Sequence, residues 1–143
     1  MDGYRRRHRE GAVGVVMVKF LSVLDVRCKD DRTWILAEPL IYESDILGRI
    51  EVPRGFETDF ASVPRMPIFY MFYGDRAHME SVLHDYLYRN DCAPPASFMQ
   101  ANRVFLEAMA ARGKAIYVRW PMFLGVVIGG LPSYHRRNVG DKL

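Results

Sequence analysis

His84 and Asp85 stand side by side in the run Ser81-Val82-Leu83-His84-Asp85-Tyr86-Leu87-Tyr88-Arg89, with Tyr88 one helical turn beyond the histidine. An imidazole can take or give a proton near neutral pH, and a carboxylate beside it can ligate a metal. The run reads as a helix. At helical spacing Ala77, Ser81, His84 and Tyr88 share one face with Asp85 at its edge, while Met79, Val82, Leu83 and Tyr86 take the opposite side. On a rigid element such a pair can be a general base next to a metal ligand. It can equally be a buried, hydrogen-bonded pair that only fixes packing.

The elements that must position the pair change character along the chain. Val13 to Arg27 is β-branched and apolar, Trp34 to Tyr42 reads as a second strand with Pro39 at an edge or bulge, and Gly48 to Val52 as a third. Together they predict an antiparallel meander. Residues 53–65, with two prolines, a glycine and no usable periodicity, predict a loop crossing the core. Helical patterns follow over 76–89 and 97–112, the second opened by a capping box of Ser97 and Gln100 and stopped by Gly113. The short connection makes the two helices antiparallel neighbours. A third helical segment from Ala115 is expected to break near Pro121. The predicted fold is α+β: an N-terminal sheet of about three strands packed against an antiparallel helix pair plus a C-terminal helical segment. The divisions are a basic arm at 1–12, one globular domain at 13–131 and a tail at 132–143.

Composition narrows the class. Half of the 143 residues are hydrophobic, with eight Tyr, eight Phe and two Trp, so a packed core is expected rather than disorder. The net charge of +3 is modest but concentrated at the ends, in Arg5, Arg6, Arg7 and Arg9 and again in Arg136, Arg137 and Lys142. Basic ends of this kind usually stay solvated or meet acidic partners, and nucleic acid is not the partner expected. Cys28 and Cys92 lack metal-ligand spacing and read as two buried thiols of a reducing compartment. Lys19 interrupts the first apolar run, which argues against a signal peptide. The stretch from Trp120 to Leu131 is too short to span a bilayer, so a soluble protein with no membrane span is expected. His78 and His135 have no partners at ligand spacing and read as surface residues.

Three segments in order carry a resemblance. They are the run from Val52 to Arg65, then Leu83-His84-Asp85-Tyr86-Leu87-Tyr88, then Ala101-Asn102-Arg103-Val104-Phe105-Leu106-Glu107-Ala108-Met109. Over roughly residues 46 to 130 the chain closely resembles a family of tailed bacteriophages and prophages known as domain of unknown function 1353. That resemblance implies a source and no reaction. The His-Asp-x-x-Tyr run is also similar to that of secreted phospholipases A2. There the histidine activates water, the adjacent Asp helps bind calcium, and an Asp on an antiparallel helix orients the histidine. The resemblance implies His84, Asn102 and Tyr88 as the catalytic group, with Asp85 and Asp59 as ligands if calcium binds. Calcium takes about six to eight oxygens, so Asp85 alone would not suffice.

Asn102 departs from the phage family's pattern, which carries Asp there. An asparagine can fix a tautomer but cannot stabilise an imidazolium by charge. In the serine-protease triad the equivalent change lowers turnover by about ten-thousand-fold. An enzyme built on His84 would therefore be an impaired ester hydrolase. Thr58, Asp59 and Ser62 could surround a metal or phosphate, or simply bond to nearby amides and hold the loop. No Gly-x-Ser-x-Gly elbow surrounds Ser62, which speaks against a serine nucleophile.

The phage resemblance points first to a virion-associated structural protein of a tail, baseplate or neck, made in the host cytoplasm and carried into the particle. Arg5, Arg6, Arg7, Arg136 and Arg137 would then contact other virion proteins, and no cofactor is expected. The alternatives are a calcium-dependent hydrolase of lipid or cell-envelope esters, and a lysis-stage accessory protein.

Overall fold

A computed structural model describes residues 19–59 and 78–143. The predicted arm at 1–12 with Arg5, Arg6 and Arg7, residues 13–18 of the predicted first strand, residues 60–65 of the predicted loop with Ser62, and residues 76–77 of the predicted first helix lie outside the described residues.

The fold is α+β, with small antiparallel sheets followed by helices. Among the described residues, six short strands form two three-stranded sheets rather than one meander. Strands β1 (Lys19–Phe20), β4 (Leu40–Ser44) and β5 (Gly48–Val52) make the first, in the order β1-β4-β5. Strands β2 (Val26–Cys28), β3 (Trp34–Leu36) and β6 (Glu57–Thr58) make the second, in the order β2-β3-β6. The predicted strands at 13–27 and 34–42 are each split because the chain passes between sheets at 21–25 and 37–39. Pro39 cannot donate to a ladder. Ser22 spans the gap, its hydroxyl donating to the Pro39 carbonyl at 3.1 Å and accepting from the Ile41 amide at 2.8 Å.

The predicted loop from 53 likewise contains a strand. Gly55, at φ 85°, makes the turn that lets Glu57 and Thr58 pair with Ile35 and Trp34. Cys28 also differs from expectation: it is exposed, because β2 is an edge strand whose Val26 leans inward while Arg27 and Cys28 point out.

Alternation in β4 and β5 builds the floor of the core. Leu40 pairs with Val52 and Tyr42 with Ile50, all four buried, while Arg49 and Glu51 face solvent. Against them lie Val82, Leu83, Tyr86 and Leu87 of α1 (His78–Leu87), and behind these Ala101, Val104 and Ala108 of α2 (Phe98–Ala111). Helix α1 is thus covered on both sides, which is why Ser81 and His84 are buried as fully as its leucines.

A capping box opens α2: Ser97 Oγ accepts from the Gln100 amide, and Gln100 Oε1 accepts from the Ser97 amide. It closes at Gly113, φ 77°, where Lys114 N–H bonds Met109 O and Gly113 N–H bonds Ala110 O. Helix α3 (Ile116–Gly129) runs unbroken through Pro121, contrary to expectation. The bond forgone is the one to the Tyr117 carbonyl, early in the helix. Burying Met122 and Val126 against Phe105 and Met109 of α2 outweighs that loss.

The residues after α3 turn back over the end of α1. His135 N–H bonds Tyr88 O at 2.8 Å, Asn90 N–H bonds Arg137 O at 2.8 Å, and Leu143 N–H bonds Glu57 Oε2 at 2.8 Å. Replacing Ser97 with Ala removes one half of the capping box. It should lower stability by about 1 kcal/mol in urea denaturation without changing the slope of the transition.

Candidate functional site

Because α1 and α2 lie against each other, residues on their facing sides meet. His84 Nε2 stands 2.8 Å from Asn102 Oδ1, and the Tyr88 hydroxyl donates to the same oxygen at 2.7 Å. One carboxamide oxygen therefore uses both of its lone pairs on α1 and the turn just after it. With Oδ1 as acceptor, the imidazole proton is assigned to Nε2 and Nδ1 is left with its lone pair. The Tyr88 and Phe105 rings enclose the imidazole, with centroids 4.1 and 4.8 Å away.

This is not a fully paired packing cluster. Among the described residues, His84 Nδ1, Asn102 Nδ2 and Ser81 Oγ are buried with no hydrogen-bond partner. Leaving a buried polar atom unpaired costs about 1–3 kcal/mol, so three at one helix contact are unusual for a site that serves packing alone.

Burial pushes the His84 imidazole down to about 4, opposed only in part by Asn102, so the ring is neutral at ordinary pH. Its neighbour is displaced the other way. Burial pushes Asp85 up to about 7, against the pull of the Thr58 hydroxyl, which donates to Oδ2 at 2.6 Å. The charge of Asp59 adds to the rise and that of Arg89 opposes it. Arg89, itself buried, lies over the Phe56 ring at 5.1 Å and reaches the Glu57 carbonyl at 3.4 Å.

These side chains line a cavity of about 300 Å³. Helix α1 contributes His84 and Asp85, the turn just after it Tyr88 and Arg89, and Asp59 follows β6. Gly125, Val126 and Gly129 of α3 form another wall, and Gly130, Ser133, Arg136, Arg137 and Leu143 complete it. A side chain at Gly130 would run into the Tyr88 hydroxyl and the Val126 carbonyl, so the seat of that hydroxyl requires glycine.

The residues singled out by sequence thus fall into two groups. His84, Tyr88 and Asn102 form one bonded cluster, and Asp59, Asp85, Arg136 and Arg137 line the same cavity. Thr58 bonds Asp85 rather than a free ligand site. Exposed His135 stacks on Tyr134. Sequence reasoning missed Arg89, Gly130 and Leu143; the glycine pair after an apolar helix was the one available signal for this wall. Among the described residues, no group of three or more His, Cys, Asp or Glu side chains gathers as a metal site. Of the two Asp carboxylates of the cavity, Asp85 is tied to Thr58 and raised in pKa.

The family described as Protein of unknown function (DUF1353) matches residues 34–126. The chain belongs to that family. No curated protein and no solved structure matches it. The part of this DUF1353 protein within the match holds Thr58, Asp59, His84, Asp85, Tyr88 and Asn102, whereas Gly129, Arg136, Arg137 and Leu143 of the cavity wall lie beyond it.

Asp85 makes stability depend on pH in a definite direction. Below its ordinary value of 3.8 the carboxyl is protonated whether the chain is folded or not. Between 3.8 and about 7 only the unfolded chain ionises, so the fold loses stability as pH rises through that window. Asp85→Asn should therefore gain more than about 1 kcal/mol over the parent at pH 8 and much less at pH 4, compared by urea denaturation. Equal gains at both values would refute the assignment.

Proposed function

We propose that this DUF1353 protein is a His84-dependent hydrolase of ester bonds in lipids or the cell envelope. The observation that carries the reading is the pairing of His84 and Tyr88 on one oxygen of Asn102, with Nδ1 left unpartnered beside a cavity. The reading is supported by the similarity to phospholipases A2, which implies an orienting residue on the antiparallel helix; Asn102 stands there in place of Asp.

In this reading a water admitted from the cavity gives its proton to His84 Nδ1 as its oxygen bonds to the ester carbonyl carbon. Negative charge on the resulting oxyanion is balanced by the guanidinium groups of Arg89, Arg136 and Arg137 around the cavity. Collapse breaks the bond to the leaving alcohol, which takes the proton back from the imidazolium. No step passes through calcium. Asn102 orients the ring but lends the imidazolium no charge, and with His84 held near 4 turnover is slow.

The virion role in a tail, baseplate or neck, and the lysis-stage role, draw their support from the phage resemblance. Arg136 and Arg137, the proposed virion contacts, line the cavity of their own chain. Stoichiometric presence in purified particles by mass spectrometry would favour the virion role.

The hydrolase is tested with a short-chain phospholipid and a nitrophenyl ester as substrates. His84→Gln should abolish hydrolysis, and a metal chelator should leave it unchanged. Asn102→Asp should raise turnover by at least about ten-fold, since a buried carboxylate there would stabilise the imidazolium. The same variant should raise the His84 pKa seen by NMR titration. Absence of hydrolysis by both the parent and Asn102→Asp, each folded, would overturn the reading.

A further inference from the structure

Helix α3 is apolar on more sides than the protein covers. Met122 and Val126 pack on α2, yet Tyr117 is 80% exposed, Trp120 45%, Leu124 52% and Ile128 82%. At helical spacing these four residues fall on one face, and Leu131, 62% exposed, prolongs it in the following turn. A surface helix ordinarily sets polar residues opposite its buried stripe; this one sets aromatic and aliphatic side chains there. Gly125 and Gly129, beside the stripe on the same helix, line the cavity, so the apolar face and the cavity adjoin.

The chain around the face is basic. Between Glu107 and Asp141 the charged residues are Arg112, Lys114, Arg119, Arg136 and Arg137, with no Asp or Glu among them. Arg112 and Lys114 pair with Glu80, so the positive charge of this stretch rests on Arg119, Arg136 and Arg137. Trp and Tyr favour the headgroup level of a bilayer, and Arg and Lys extend apolar stems along such a surface while their charged ends reach phosphates. A second copy is a poor occupant. A two-fold pairing sets the same patch against itself and would bring the positive rims together.

We propose that this face of α3 docks on the surface of an anionic phospholipid bilayer, lying in the interface with Trp120, Leu124 and Ile128 in the acyl boundary. The helix lies on the membrane and does not cross it: no helix of the described residues is long and apolar enough for that. The docking stands on the helix face and its charge alone, so it does not depend on hydrolysis in the cavity.

The test uses the full chain and vesicles of phosphatidylcholine, with or without phosphatidylglycerol. The protein should co-sediment with the anionic vesicles at about ten-fold less lipid than with neutral ones, and added salt should weaken the binding. In Trp34→Phe, Trp120 is the sole tryptophan, and its emission should shift to the blue when anionic vesicles are added. Leu124→Gln with Ile128→Gln, both at exposed positions, should keep the thermal transition and bind at least about ten-fold more weakly. The proposal is overturned if the folded parent stays in the supernatant with anionic vesicles, or if the double variant binds as tightly as the parent. It is also overturned if ultracentrifugation finds a parent dimer that the double variant loses, which would give the face to a second copy.

Discussion

The carboxamide oxygen of Asn102 is the contact on which the rest of the site depends. It is a single acceptor with two lone pairs, one taken by His84 of the neighbouring helix and one by Tyr88 in the turn just after that helix. That double bond in the sense of two donors on one atom fixes where α1 and α2 meet, and it fixes the imidazole's tautomer as well. Tyr88, held this way, needs the bare backbone of Gly130 beside its hydroxyl. The start of the C-terminal segment is thereby tied to the same point, and the amide of His135 then bonds the Tyr88 carbonyl.

Adjacent residues of α1 are displaced in opposite directions by one cause. Removing water disfavours whichever form is charged, so the imidazole of His84 is held neutral and the carboxyl of Asp85 keeps its proton far above its ordinary range. The pair that looks like a cation beside an anion in the sequence is therefore close to a neutral pair in the fold. Thr58 suits either state of Asp85, because its hydroxyl can donate to the carboxylate or accept from the acid. The core around Leu83, Leu87 and Val104 must offset the cost of these groups and of the unpaired atoms beside them. Sites held at such a cost are more often kept for binding or chemistry than for packing.

Much of the helical half was legible in the residues. The capping box at Ser97 and Gln100 and the stop at Gly113 are local devices, made by side chains and backbone a few positions apart, so sequence spacing carries them directly. The strands were legible only as apolar segments. Where 13–27 and 34–42 read as continuous, Pro39 and the hydroxyl of Ser22 divide them between two sheets, and that division depends on partners distant in sequence. Pro121 misled for a related reason: its local cost is real, but the packing of Met122 and Val126 on α2 overrides it.

The sequence by itself determined the α+β class and the antiparallel helix pair, which follow from helical spacing and a short connection. The pairing of His84 with Asn102 was what the resemblance to phospholipases A2 implied. Only the tertiary structure decided that Arg89, Arg136, Arg137 and Leu143 share one cavity with His84 and Asp59. Those residues come from separate segments and converge because the C-terminal residues fold back across the end of α1. The protonation of His84 and Asp85 was decided at the same level. Desolvation is a property of what surrounds a group in space, and no spacing along the chain encodes it.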